Sequence, residues 1–129
     1  MSKTFVIIGA IFMFLGVSAG AFGAHGLESY FVDHPQLEAT YETAVQYQLI
    51  HGLALFAIAW AATQWPGALI TWAGYFMVLG ILIFSGSLYL LVLTDTGWFG
   101  AITPVGGVAL LSGWAILAVA AWRSNEVAV

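Results

Sequence analysis

The chain of 129 residues contains no cysteine, three prolines and only two basic residues, Lys3 and Arg123. The lack of cysteine excludes disulfides, thiolate nucleophiles, iron–sulfur ligation and cysteine-type zinc sites together. With one lysine and one arginine there is nothing to neutralise phosphates, and a net charge of −4 has the wrong sign to steer them, so nucleic acid is excluded as a partner. Acidic residues are scarce as well: Glu28, Asp33, Glu38, Glu42, Asp95 and Glu126 bring the charged share to 6%. A soluble domain carries about a quarter, so a globular cytosolic enzyme is excluded too. What is abundant is apolar: 62% of residues are hydrophobic, and the mean hydropathy is +1.00. The composition is that of an integral membrane protein.

A bilayer core of about 30 Å needs roughly 20 apolar residues as a helix. Four uncharged runs meet that length: 5–24, 43–63, 69–93 and 104–122. They predict an all-α integral membrane four-helix bundle forming one membrane domain over 1–129, with a loop at 25–42 and no room for a soluble domain. The first run is too long for the apolar stretch of a signal peptide, about 7 to 15 residues. It is read as a packed span.

Four spans put both termini on one side. Lys3 and Arg123 flank the membrane there, and the positive-inside rule makes that side cytoplasmic, in a cell (inner) membrane. Glu28, Asp33, Glu38, Glu42 and Asp95 then fall outside. Trp60, Trp65, Trp72 and Trp122 mark the inner boundary, and Trp98, Tyr30 and Tyr41 the outer one. Within the outer loop, Asp33 reads as the N-cap of a helix with Pro35 in its first turn and Gln36 at the third position. The second helix is therefore expected to start before the membrane, with Glu38 and Glu42 on its wetted face, Leu37 and Tyr41 packing down onto headgroups, and His34 solvated. The blander reading is a solvated acidic loop with one helical turn. Turns are expected at Gln64-Trp65-Pro66-Gly67 and at Asp95-Thr96-Gly97.

Unpaired polar groups are costly in hydrocarbon, so their depth is informative. Counted inward at 1.5 Å per residue, Ser18, Gln48, His51, Ser85, Ser87 and Ser112 all lie in the outer half, with His25 at the lip and Tyr47 and Tyr89 close in depth. The inner half has no polar side chain but indole N–H groups, which demotes a channel or ion carrier. Three readings of the outer cluster follow. His25, Gln48, His51, Ser85, Ser87 and Tyr89 line a pocket for a lipid, quinone-like or small polar ligand; or His25, Glu28 and His51 do metal or acid/base work; or the groups simply bond across helices. In the last, His25 and His51 lie within reach of Gln48 and Ser85. No cofactor is named by these residues.

Glycine is plentiful and spaced for close contact. Gly9, Gly16, Gly20 and Gly23 fall near one stripe of the first span, Ala109 and Gly113 repeat the small-xxx-small spacing on the fourth, and Gly80, Gly86, Gly106 and Gly107 add others. Such stripes let helices touch within one chain or between copies, so a homo-oligomer or a membrane-protein partner is open.

Four strings in order, Gly20-Ala-Phe-Gly-Ala-His25-Gly-Leu27, Tyr47-Gln48-Leu-Ile-His51, Phe84-Ser85-Gly-Ser87-Leu-Tyr89 and Thr103-Pro104-Val-Gly106-Gly107 followed by Gly113-Trp114, carry a resemblance over nearly the whole chain. The chain resembles the YgdD-like family of small four-span membrane proteins, a domain-of-unknown-function family similar to a eukaryotic transmembrane protein group. The resemblance implies a shared fold and location without an established reaction. The reading that results is a small membrane protein, non-enzymatic, serving as a subunit or partner, with a ligand-binding bundle as the alternative and a membrane enzyme or transporter behind both.

The topology has a direct test. Single cysteines at positions 2, 36 and 126 should give labelling of position 36 alone when intact cells meet an impermeant maleimide. Labelling at either terminal position would reverse the orientation.

Overall fold

The computed structural model describes residues 1–124; Glu126, counted above among the charges, lies outside them. The described chain is helical throughout, without strands. Helix α1 covers Ser2–His25, the short α2 Glu28–Asp33, α3 Pro35–Gln64 and α4 Ala68–Thr94; a 3-10 turn at Gly97–Ala101 leads into α5, Thr103–Ser124. Four of these segments are long and apolar enough to cross a membrane. They are helices because a lipid-embedded backbone must satisfy its own N–H and C=O groups.

Punctuation between helices is local. Pro35 opens α3 at a position where its missing N–H costs nothing, but its N-cap is His34, not Asp33, which is the last residue of α2. Asp95 ends α4 in the left-handed conformation (φ 47°, ψ 43°), one that aspartate tolerates better than most residues. The segment expected as a loop at 25–42 is largely helical. The chain turns at Gly26 and Leu27, so His25 and Glu28 end up on different helices and do not share a face.

Helices adjacent in sequence pack together: α1 on α3, α3 on α4 and α4 on α5. The main core lies between them and contains Phe5, Leu55, Ile58, Ile70 and Met77, all inaccessible. A second core closes the end where α2 sits, built from Leu27, Phe31, Leu37, Tyr41 and Val92. This corrects two expectations. Tyr41 is 4% exposed and Leu37 5%, so neither faces headgroups; α2 folds back and covers them. Tyr30 is half-buried, its hydroxyl donating to the Val92 carbonyl at 2.6 Å. Trp60, Trp72, Trp98 and Trp122 do remain exposed.

The glycine stripe of α1 is occupied within the chain. A Cβ at Gly16 would come within 2.7 Å of Leu49 on α3, and one at Gly9 within 3.1 Å of the Gly52 carbonyl. The tightest backbone approach joins α5 to α4, where a Cβ at Gly106 would lie 2.3 Å from the Phe84 nitrogen and 2.7 Å from its Cα. Backbone cannot swing aside as a flexible side chain can. Gly106→Ala should therefore cost about 1–3 kcal/mol and lower the unfolding midpoint in detergent. Gly107→Ala is the control, since a Cβ there meets Phe84 at an ordinary 3.8 Å and should be nearly neutral.

Candidate functional site

Of the polar side chains picked out by depth, Gln48, His51, Ser85 and Ser87 are buried in the bundle, but they divide into separate bonded sets. Gln48 on α3 is 5% exposed. Its Nε2 donates to the Phe12 carbonyl of α1 at 2.9 Å, and its Oε1 accepts from the Tyr89 hydroxyl of α4 at 2.7 Å. One amide thus joins three helices. One turn beyond Phe12, the bare backbone of Gly16 lets Leu49, the neighbour of Gln48, come close. Alongside, Ser85 donates to the Ala44 carbonyl at 2.8 Å and the Tyr41 hydroxyl donates to the Ala19 carbonyl.

His51, one turn further along α3, belongs to a different set. Its Nδ1 lies 2.7 Å from the Tyr47 carbonyl, and its Nε2 lies 3.1 Å from the indole Nε1 of Trp114 on α5. The indole can only donate, so Nε2 accepts and Nδ1 carries the proton; the two partners assign the neutral tautomer. Tyr47 stacks near the imidazole at 5.7 Å and on Phe84 at 4.3 Å. A third contact sits nearer the α2 end, where the Ser87 and Thr103 hydroxyls are 2.6 Å apart.

Several expectations are corrected here. His51 does not reach Gln48 or Ser85 with its ring nitrogens, because its direction around α3 points it to Trp114 of α5, while Gln48 faces α1 and α4 and Ser85, on α4, bonds back to Ala44 of α3. His25 is exposed at the end of α1 and joins no hydrogen bond among the described residues. Ser18 and Ser112 turn back onto their own helices, donating to the Phe14 and Val108 carbonyls. His34 is not free in solvent: it stacks on Tyr30 at 4.5 Å, with Nε2 4.0 Å from Asp95. Among the described residues no three His, Asp or Glu side chains gather closely enough to hold a metal, so His25, Glu28 and His51 do not form a set.

Trp114 is the partner that the sequence reading misses. It lies eleven residues from Thr103 and ten from Ser124, about 15 Å from either end of α5. The His51 pair is therefore near mid-depth and not confined to one half. The available signal is that Trp114 is mid-span, away from both interfacial belts, where an indole N–H needs an acceptor. Among the described residues no buried side-chain nitrogen or oxygen lacks a hydrogen-bond partner.

The three-helix junction can be measured. Gln48→Leu, Tyr89→Phe and the double variant, compared by unfolding in detergent, should give a coupling of about 0.6 kcal/mol, with about 1.7 as the upper end for such bonds in membranes. Strict additivity would remove the bond from the ledger of stabilising contacts.

Comparison with known proteins places the chain in a family. The model of a family described as "Protein of unknown function (DUF423)" matches residues 19–107. The UPF0382 membrane protein YwdK of Bacillus subtilis is 47% identical over 120 residues, covering 92% of this chain and 96% of its own length. A UPF0382 membrane protein of Staphylococcus epidermidis is 43% identical over 118 residues, covering 92% and 94%. No solved structure matches. These descriptions do not carry the YgdD label, but they agree with the resemblance on a membrane protein family of unknown function. With a family match across most of its length and relatives above 40% identity, this chain belongs to the DUF423 family of membrane proteins.

Proposed function

We propose that the protein is a non-enzymatic subunit of a membrane assembly, a packed helical unit whose polar side chains lock its own helices together. The observation that carries this reading is the saturation of His51. Both ring nitrogens are engaged, one by the Tyr47 carbonyl and one by the Trp114 indole, so no lone pair is left to act as a base or a metal ligand. Gln48, Ser85, Ser87 and Tyr89 are likewise bonded to groups of the same chain. A catalytic site needs a reactive group aimed at a substrate, and the polar groups here are aimed at one another.

The same reading sets both termini on the cytoplasmic side of the cell membrane. Lys3 and Arg123 lie at one end of the bundle, and Glu28, Asp33, Glu38, Glu42 and Asp95 at the other, the charge asymmetry that orients multispan proteins. The alternative, one ligand pocket built from His25, Gln48, His51, Ser85, Ser87 and Tyr89, has less support because the six do not share a cavity: Gln48, Ser85 and Tyr89 border one groove, whereas His51 turns to Trp114, Ser87 to Thr103, and His25 is exposed.

His51→Ala separates the two readings. A locking role predicts a midpoint lowered by a few degrees in detergent, the cost of leaving the Trp114 N–H without its acceptor, about 1–3 kcal/mol. It also predicts that any rise in the midpoint given by a screen of lipids, quinones and divalent metals in the wild type survives in His51→Ala. A rise in the wild type that disappears in His51→Ala would overturn the proposal.

A further inference from the structure

A groove runs along the bundle between α1 and α4, floored by α3, with a volume of about 370 Å³. It exists because α1 and α4 both lean on α3 and touch each other where Phe5 meets Gly74 and Tyr75, while the space between them opens towards the α2 end. Phe12, Leu15 and Phe22 form one wall, and Leu82, Gly86 and Leu93 the other. Along α4 the lining extends from Ile81 to Leu93, about 18 Å of helix, close to the hydrocarbon depth of one leaflet, about 15 Å. The groove is open along its side, so in a bilayer its occupant enters from the lipid phase.

Its chemistry selects a hydrocarbon chain. Most of the lining is aliphatic and aromatic, and its polar groups are already bonded within the chain: Tyr41 to Ala19, Gln48 to Phe12 and Tyr89, and Ser85 to Ala44. Charge at the mouth constrains the head. Asp95 is two residues beyond Leu93, and Tyr41 lines both the groove and an adjoining cavity that contains Glu38 and Glu42. Glu28 and Asp33 are at this end as well, with His25 and with His34 beside Asp95, whereas Lys3 and Arg123 are at the other. An anionic head would meet like charge there.

We propose that this groove holds the chain of a single-chain amphiphile with an uncharged head, taken from the leaflet at the α2 end. The site goes beyond the locking role of the polar core and does not depend on it.

The test uses the full chain in nanodiscs of dioleoylphosphatidylcholine, which hold no single-chain amphiphile, and follows thermal unfolding with monoolein, and separately with oleate at pH 8, which presents a similar chain on a negative head. Saturating monoolein should raise the midpoint by about 3 °C or more, and oleate should need at least about tenfold more for the same rise. Gly86→Phe fills the groove at a position where an added Cβ meets nothing within 4 Å. It should leave the ligand-free midpoint within about 1 °C and abolish the response. Should that variant unfold, Leu82→Trp blocks the same wall from an exposed position. No rise with monoolein, a rise that survives the groove-filling substitution, or an equal rise with oleate would overturn the proposal.

Discussion

Two helices in hydrocarbon gain nothing by hiding apolar surface from water, because the lipid around them is already apolar. Close packing and interhelical hydrogen bonds must hold them instead, and this bundle has both. Glycine brings α1 to α3 at Gly9 and Gly16, and α5 to α4 at Gly106. Polar bonds repeat both pairings, Gln48 to Phe12 and Ser87 to Thr103, and add a third between α3 and α4, Tyr89 to Gln48 and Ser85 to Ala44. One further bond, Trp114 to His51, crosses from α5 to α3, which otherwise touch little.

The two kinds of contact do different work. A hydrogen bond of this sort in a membrane contributes only about 0.6 kcal/mol on average, so the five together matter less than the packing they accompany. Their larger effect is directional. An apolar face can rotate against its neighbour by a fraction of a turn with little penalty, but a Gln48 rotated away from Phe12 and Tyr89 would leave an amide unpaired in a low-dielectric interior. Glycine sets how near the helices come, and the polar bonds set which way each one faces.

That division explains what was legible beforehand. Span number, the Pro35 start of α3 and the turns at Trp65-Pro66-Gly67 and Asp95 follow from local chemistry, and the structure agrees with them. Burial of polar groups is partly readable too: of those picked out by counting along the helices, Gln48, His51, Ser85 and Ser87 are buried, whereas Ser18 and His25 are exposed. Rotation about the helix axis is another matter, because it depends on which neighbour occupies which side. Hence Gln48 and His51 read as one cluster although they serve different helices, and Trp114 goes unpaired. The α2 segment fails for a different reason: six residues carry too little periodicity to distinguish a loop from a helix, and its fold-back onto Tyr41 rests on contacts distant in sequence.

The order of the helices in space repeats their order along the chain. Each long helix docks on the one made just before it, so during synthesis no completed segment waits for a distant partner, and the loops to be closed are short. Phe5 is the exception. It seats against Gly74 on α4, so its place does not exist until the third long helix has been inserted. Phe5 is made before α3 and α4, and its final contacts wait for both.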